Sequence, residues 1–195
     1  MLFRSNAPAQ GSSALDRRIL GTAAHALLER WDFVVEPPIA EVAREFFPSA
    51  NLKTLCIHEL STIIERLQQS SLWPQLSAST NARRELPFLF EIGGVFLNGV
   101  IDALLDANTL VDYKLGSPAA GRLERHETQL RIYAAAIRAE TGRSPQRAVL
   151  YYMNSGQLID VDVRPVILDE TLQHANAALR AHFAPAPDAG AARGG

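Results

Sequence analysis

Cysteine is almost absent from this chain: among 195 residues only Cys56 carries a thiol. A single cysteine excludes an intrachain disulfide, a zinc ribbon and a cysteine-ligated iron–sulfur cluster. Long apolar runs are missing as well. No stretch reaches the roughly 18 consecutive apolar residues of a membrane span. Met1 to Gln10 holds one Arg and no apolar core of a secretory signal, which argues for a cytoplasmic location and no membrane partner. The chain contains no GxxxxGK[ST] loop for consuming ATP and no GxSxG serine elbow. Excess charge is small too. Lys and Arg number 19 against 21 Asp and Glu, so a nucleic-acid partner would have to be met by a local basic patch rather than by the global field.

What is present is a globular composition. Hydrophobic residues make up 47% and charged residues 21%, which separates the chain from disordered ones. Met1 to Ala14 reads as a flexible lead-in, and 184–195, rich in Ala, Pro and Gly, as a disordered tail. Between them, 15–183 reads as a single domain, with a helical part over about 33–82 placed before a sheet.

Ile19, Leu20, Ala23, Leu27, Leu28 and Trp31 recur at helical spacing behind Asp16, a residue suited to an N-cap or first turn. Pro37-Pro38 breaks the chain, and Ile39 to Phe47 makes a short helix ended by Pro48. Leu52 to Leu67 makes a longer one, with Leu55, Ile57, Leu60, Ile63, Ile64 and Leu67 on its apolar face. Ser70 to Ala82 is polar and reads as loop. The period then changes. Arg84 to Ile92, Val95 to Leu105 and Thr109 to Leu115 read as strands, joined by the hairpin signal Gly93-Gly94 and by Asp106-Ala107-Asn108. After a lid-like loop from Gly116 to Gly121, Leu123 to Thr141 is a helix closed by Gly142. Gln146 to Met153 and Gln157 to Val163 are further strands around an Asn154-Ser155-Gly156 turn, and Leu168 to Phe183 is a last helix. Three antiparallel strands, a crossover helix and further strands give a mixed sheet flanked by helices, an α/β architecture.

The ionisable residues of the second and third strands stand out. Asp102 sits in the apolar run Val100 to Leu105, and Asp112 and Lys114 flank Tyr113. Strand alternation turns Asp112 and Lys114 to one side, and Asp102 lies in the neighbouring strand, although the register is not fixed by sequence. Two close carboxylates repel unless a cation sits between them, and a hard divalent ion with oxygen ligands meets that need. A lysine beside it can hold the attacking water or stabilise charge at phosphorus. The plain alternative is an exposed cross-strand charge ladder. Gln129 and Tyr133 lie one turn apart on the following helix, either as substrate contacts or as a boundary pair. His25 falls among small residues of the first helix, where another element can approach closely; on its own, a lone helix histidine reads as a surface or satisfied core group. His58 and His126 read as surface residues, with a place near a substrate open to His126, and Cys56 reads as core.

At these residues the sequence resembles the PD-(D/E)XK nuclease superfamily, and within it the RecB-like nuclease domains that end helicase–nucleases of the AddA and RecB type. GTAAH at Gly21 to His25, RELPF at Arg84 to Phe88, GVID at Gly99 to Asp102, VDYK at Val111 to Lys114 and QLRIY at Gln129 to Tyr133 occur in the family's order. The likeness runs from Gly21 to about Val163. It implies a restriction-endonuclease-like αβββαβ core with an N-terminal helical addition. It implies His25, Asp102, Asp112 and the backbone carbonyl of Tyr113 as metal ligands, and Lys114 as the group that orients or activates water. Gln129 and Tyr133 would stand near DNA and the reacting atoms. Glu85 matches the acid of the first core strand, behind the ligands or close to DNA. The implied reaction is Mg²⁺- or Mn²⁺-dependent hydrolysis of DNA by in-line attack of a metal-bound water, on single strands or duplex ends. The implied setting is recombination or repair beside a helicase, fused or separate. Leu115-Gly116 departs from the Thr or Ser that often follows the family lysine, which bears on substrate positioning.

A different function fits the same residues: a catalytically silent DNA-binding or assembly module of a helicase–nuclease complex. Retention of Asp102, Asp112 and Lys114 counts against it. A structural α/β domain with coincidental acids is a third reading, opposed by the ordered run of matching pieces. Arg83, Arg84, Arg122, Arg125, Arg131 and Arg138 flank the candidate site in sequence and are together candidates for phosphate contacts, although any one of them taken singly reads first as helix or strand solubility.

Overall fold

A computed structural model of the chain describes residues 15–183. The expected lead-in over 1–14 and tail over 184–195 lie outside the described residues. The elements run α1 (Arg17–Arg30), α2 (Ile39–Phe46), α3 (Ala50–Gln69), α4 (Trp73–Ala78), β1 (Ala82–Ile92), β2 (Val95–Leu105), β3 (Thr109–Lys114), α5 (Ala120–Thr141), β4 (Arg147–Tyr152), β5 (Gln157–Val161) and α6 (Pro165–Phe183). They form two compact units. One gathers the described residues up to Ala78 with Tyr113–Ser117 and Tyr152–Gln157; the other gathers Ser79–Asp112, Pro118–Tyr151 and the chain from Leu158 onward. Among the described residues no helix is long and apolar enough to cross a membrane.

The first unit is built on α1 to α4. Asp16 caps α1, its carboxylate accepting from the Arg18 amide at 2.8 Å, and Ser49 caps α3 in the same way through Leu52. Leu20, Ala23, Ala24, Leu27 and Leu28 bury one face of α1, and Cys56, Leu60, Ile63, Ile64 and Leu67 bury one face of α3. Ile19 and Leu55, expected on those faces, are instead 41% and 42% exposed. The reason is rotational: Cys56 leads the i, i+4, i+7, i+8, i+11 stripe, and Leu55 lies one residue, about 100°, off it. The stretch Ser70 to Ala82, read as loop, contains α4. Pro74 is tolerated there because it lies in the first turn, where the N–H has no intrahelical partner. Trp73, which opens α4, stacks on Trp31 with centroids 5.2 Å apart, and Trp31 donates its indole N–H to the Val35 carbonyl at 2.7 Å.

The sheet has the order β1-β2-β3-β4-β5. β1 and β2 pair antiparallel from Ala82↔Leu105 to Ile92↔Val95, and β2 and β3 from Ala103↔Val111 to Leu105↔Thr109. Gly93 and Gly94 turn the first hairpin with φ of 60° and 86°, values that favour glycine. A Cβ on Gly93 would also collide with Asn176 of α6. β4 runs parallel to β3: Gln146 and Arg147 donate to the Asn108 carbonyl, and Met153 donates to the Lys114 carbonyl, so the two strands advance together. α5 supplies the crossover and ends at Gly142 in a left-handed cap with φ of 74°. It starts at Ala120, inside the expected loop, and β5 stops at Val161 rather than Val163. Pro87 is accommodated because β1 lies at the sheet edge.

Candidate functional site

The site is built from the register of the second unit. Ala103 pairs with Val111, so one step further along the same antiparallel ladder sets Asp102 opposite Asp112. Register partners share a face, so these two carboxylates are cross-strand neighbours. On the other side, Arg84 pairs with Ala103 and Leu86 with Ile101, while the intervening Glu85–Asp102 step carries no backbone pair. Glu85 has a φ of 45° there, a left-handed conformation inside a strand. A carboxylate oxygen of Glu85 lies within 4.8 Å of one of Asp102. Three acids thus stand in a row across β1, β2 and β3. Asp112 is the most enclosed, at 3% exposure, and Asp102 is half-buried, so the row is not a solvated charge ladder.

Tyr113 and Lys114 follow Asp112 at the end of β3. Alternation returns the Lys114 side chain to the face of Asp112, and Lys114 is half-buried. In the first unit, His25 is half-buried on α1 and meets the Tyr113 ring nearly perpendicularly, with centroids 6.3 Å apart. The small residues around His25 permit that approach. Gly21 is not strictly required for it, since a Cβ there would make only ordinary contact with Leu115 at 3.6 Å.

Gln129 and Tyr133 project from α5. The Gln129 amide donates to the Tyr133 hydroxyl oxygen. Burial raises the Tyr133 pKa; the Gln129 hydrogen bond opposes this, and the nearby Asp112, Asp102 and Glu85 charges add to it. The tyrosine is therefore a neutral hydroxyl within reach of the field of all three acids.

Arginines expected near phosphates divide into two groups. Arg131 is held by Glu127 and the Asp162 carbonyl, and Arg138 by Asp169 at 2.6 Å, so both tie α5 to the segment around α6 rather than facing a ligand. Of the others, Arg83, Arg122 and Arg125 are exposed and Arg84 is half-buried. His126, read as a surface residue, is half-buried. Cys56 is fully buried, and burial pushes its thiol up to about 11, as expected of core rather than of a nucleophile. Sequence reading missed Phe88, whose ring meets Tyr133 edge-on with centroids 5.0 Å apart. The signal was available: Phe88 alternates with exposed Pro87 and Leu89 and so turns inward.

A family model for the PD-(D/E)XK nuclease superfamily matches residues 2–192. An ATP-dependent helicase/nuclease polypeptide of Listeria welshimeri is 23% identical over 177 residues, covering 74% of this chain and 14% of the relative. Its namesake from Desulforamulus reducens is 30% identical over 112 residues, covering 47% and 9%. The chain thus spans a small fraction of the length of these curated relatives. A solved structure from Eubacterium rectale, provisionally named an exonuclease, superposes with a TM-score of 0.58 at 14% identity, over 88% of this chain and 66% of that one. That likeness concerns the fold alone, and it agrees with the mixed, helix-flanked sheet.

Proposed function

Because the chain belongs to the PD-(D/E)XK nuclease superfamily, we propose that it is a divalent-metal-dependent deoxyribonuclease. The observation that carries this reading is the row Glu85, Asp102 and Asp112, with Lys114 two residues further along β3. Three acids in one row fit a hard cation, because their mutual repulsion is relieved by positive charge held among oxygen donors. Asp102, Asp112 and the Tyr113 carbonyl would hold it, joined by His25, whose ring abuts Tyr113. Mg²⁺ or Mn²⁺ suits such donors, and when bound the ion supplies charge neutralisation at the scissile phosphate.

The remaining steps belong to the chain's own residues. Lys114 Nζ hydrogen-bonds the attacking water and turns its lone pair toward phosphorus, in line with the leaving oxygen. The Tyr133 hydroxyl, held by Gln129, donates to a phosphate oxygen of the bound strand. We take 15–183 as the extent of the nuclease domain. No nucleotide loop stands in the sequence, and the relatives' names join nuclease to ATP-dependent helicase. We infer that a helicase motor, fused or separate, delivers single strands or duplex ends for recombination or repair.

The test is cleavage of end-labelled single-stranded and duplex DNA by the purified protein with Mg²⁺, Mn²⁺ or EDTA, beside Lys114→Ala and Asp112→Ala. Metal-dependent cutting abolished by both substitutions supports the reading. DNA binding without cutting in any metal moves it to a silent binding or assembly module. Cutting that survives both substitutions refutes the site.

A further inference from the structure

We propose that Phe88 is a positioning residue for Tyr133, and that the glycine at position 99 is there to make room for the Phe88 ring. Phe88 and Gly99 are register partners across β1 and β2. A glycine inside a strand weakens it, through lost backbone entropy and a missing cross-strand contact, so its presence calls for a reason. Backbone geometry does not supply one, because Gly99 is not among the positive-φ glycines. Space does. A Cβ on Gly99 would stand 2.7 Å from Phe88 Cε1, closer than side chains tolerate, and 3.1 Å from Cζ, a tight contact. The ring therefore lies over the bare Gly99 backbone.

From that berth the Phe88 ring meets the Tyr133 ring at 64° with centroids 5.0 Å apart, an edge-to-face pair. Tyr133 is held from the other side by the Gln129 amide on its hydroxyl oxygen. One contact fixes the ring and the other the hydroxyl. The hydroxyl so held is close enough to Asp112, Asp102 and Glu85 for their charges to add to the rise in its pKa that burial causes. Phe88 touches none of the reacting groups in this scheme and acts through Tyr133 alone. The inference deepens the nuclease reading and rests on it for its kinetic consequence, while the contact itself can be tested without turnover.

The experiment joins a spectroscopic arm to a kinetic one. The full chain, labelled with ¹³C-tyrosine, gives signals for four tyrosines, and Tyr133→Phe assigns the one in question. Phe88→Leu and Gly99→Ala are each expected to move the Tyr133 ring signal and leave the other three in place. In a double-mutant cycle, Phe88→Leu is expected to lower kcat about tenfold with KM nearly constant, and to cost less than about twofold once Tyr133 is Phe. The Phe88→Leu/Gly99→Ala pair is expected to be no worse than either change alone. A Tyr133 signal unmoved by Phe88→Leu, or a cycle in which the two losses multiply, overturns the proposal. If Gly99→Ala does not fold, Phe88→Leu alone decides it. Wild-type protein that fails to cut DNA would remove the nuclease reading, while the tyrosine signal would still accept or reject the positioning contact.

Discussion

Glu85 faces Asp102 across β1 and β2 at the step where the backbone pairing of that ladder lapses, and it does so with a φ of 45°. A non-glycine residue in the left-handed region costs roughly 1–2 kcal/mol. The surrounding strand is paired on both sides of the lapse, which is what holds the residue there. The distortion brings the Glu85 carboxylate beside that of Asp102 rather than leaving it on the alternation of an ordinary strand.

Replacing Glu85 by Gly should therefore separate stability from activity. Gly adopts the same φ without steric cost and removes one charge from the acid row. We expect Glu85→Gly to be no less stable than wild type in EDTA, because relief of the left-handed strain offsets the chain entropy that glycine loses on folding, with DNA cleavage strongly reduced. Urea denaturation beside a cleavage assay checks both halves. A variant that is less stable than wild type would show that Glu85 is not strained.

The row of acids also predicts how metal and stability are linked. Divalent cation should stabilise the wild-type protein, by about 2.7 kcal/mol at a concentration a hundred times its Kd. Asp102→Asn should lose most of that gain and be at least as stable as wild type in EDTA, since a like charge has gone. Thermal unfolding with and without Mg²⁺ reads both effects. An Asp102→Asn protein that responds to Mg²⁺ as wild type does would place the ion elsewhere.

Lys114 has a geometric as well as an electrostatic task, which distinguishes two substitutions. Lys114→Ala should reduce kcat by about 10²- to 10⁴-fold. Lys114→Arg should recover little of it, because a guanidinium fork cannot place a single donor on the water as an ammonium does. Single-turnover cleavage under saturating metal measures the difference. Recovery of most of the rate by Arg would reduce Lys114 to a bulk positive charge.

Cys56 supplies a prediction in pH. Its thiol is raised from 9.0 to about 11 in the folded state. A group with a raised folded pKa favours the folded state fully below the unfolded value, and that contribution is lost as pH rises through the folded value. Stability should thus decline between pH about 9 and 11 by a component that Cys56→Ala lacks. In native protein the thiol should resist alkylation at pH 8 and react on addition of denaturant. Rapid alkylation without denaturant would contradict its placement in the core.

The hairpins were readable because their turns advertise themselves. Gly93-Gly94 takes positive φ at both residues, and Asp106 and Ala107 do the same at 49° and 58°. α4 was not readable, since Trp73-Pro74 opens a helix too short to show periodicity and its reason for forming is the stacking of Trp73 on Trp31. Asp102, Asp112 and Lys114 could be picked out by their setting in apolar strands. Their alignment could not, because register depends on how many residues the 106–108 turn absorbs. Glu85 was visible as a letter but its backbone was not, since a left-handed glutamate has no sequence signature. Arg131 and Arg138, candidates for phosphate contacts by their place in the sequence, pair instead with Glu127 and Asp169, and sequence spacing did not reveal the Asp169 partner.

The parallel pairing of β3 with β4 has a kinetic consequence. Asn108 meets Gln146 and Arg147 only after the whole of α5 has been spanned, whereas β1, β2 and β3 are joined by tight turns. Closing the long connection costs more chain entropy, so the three-stranded meander should form first and β4 should dock late. Glu85, Asp102 and Asp112 all lie on that early meander, so their mutual repulsion would be felt before the sheet is complete. Refolding should accordingly quicken when Mg²⁺ is present from the start. Pulse-labelled hydrogen exchange would show amides of β1 to β3 protected ahead of those of β4, and simultaneous protection of all four strands would rule this order out.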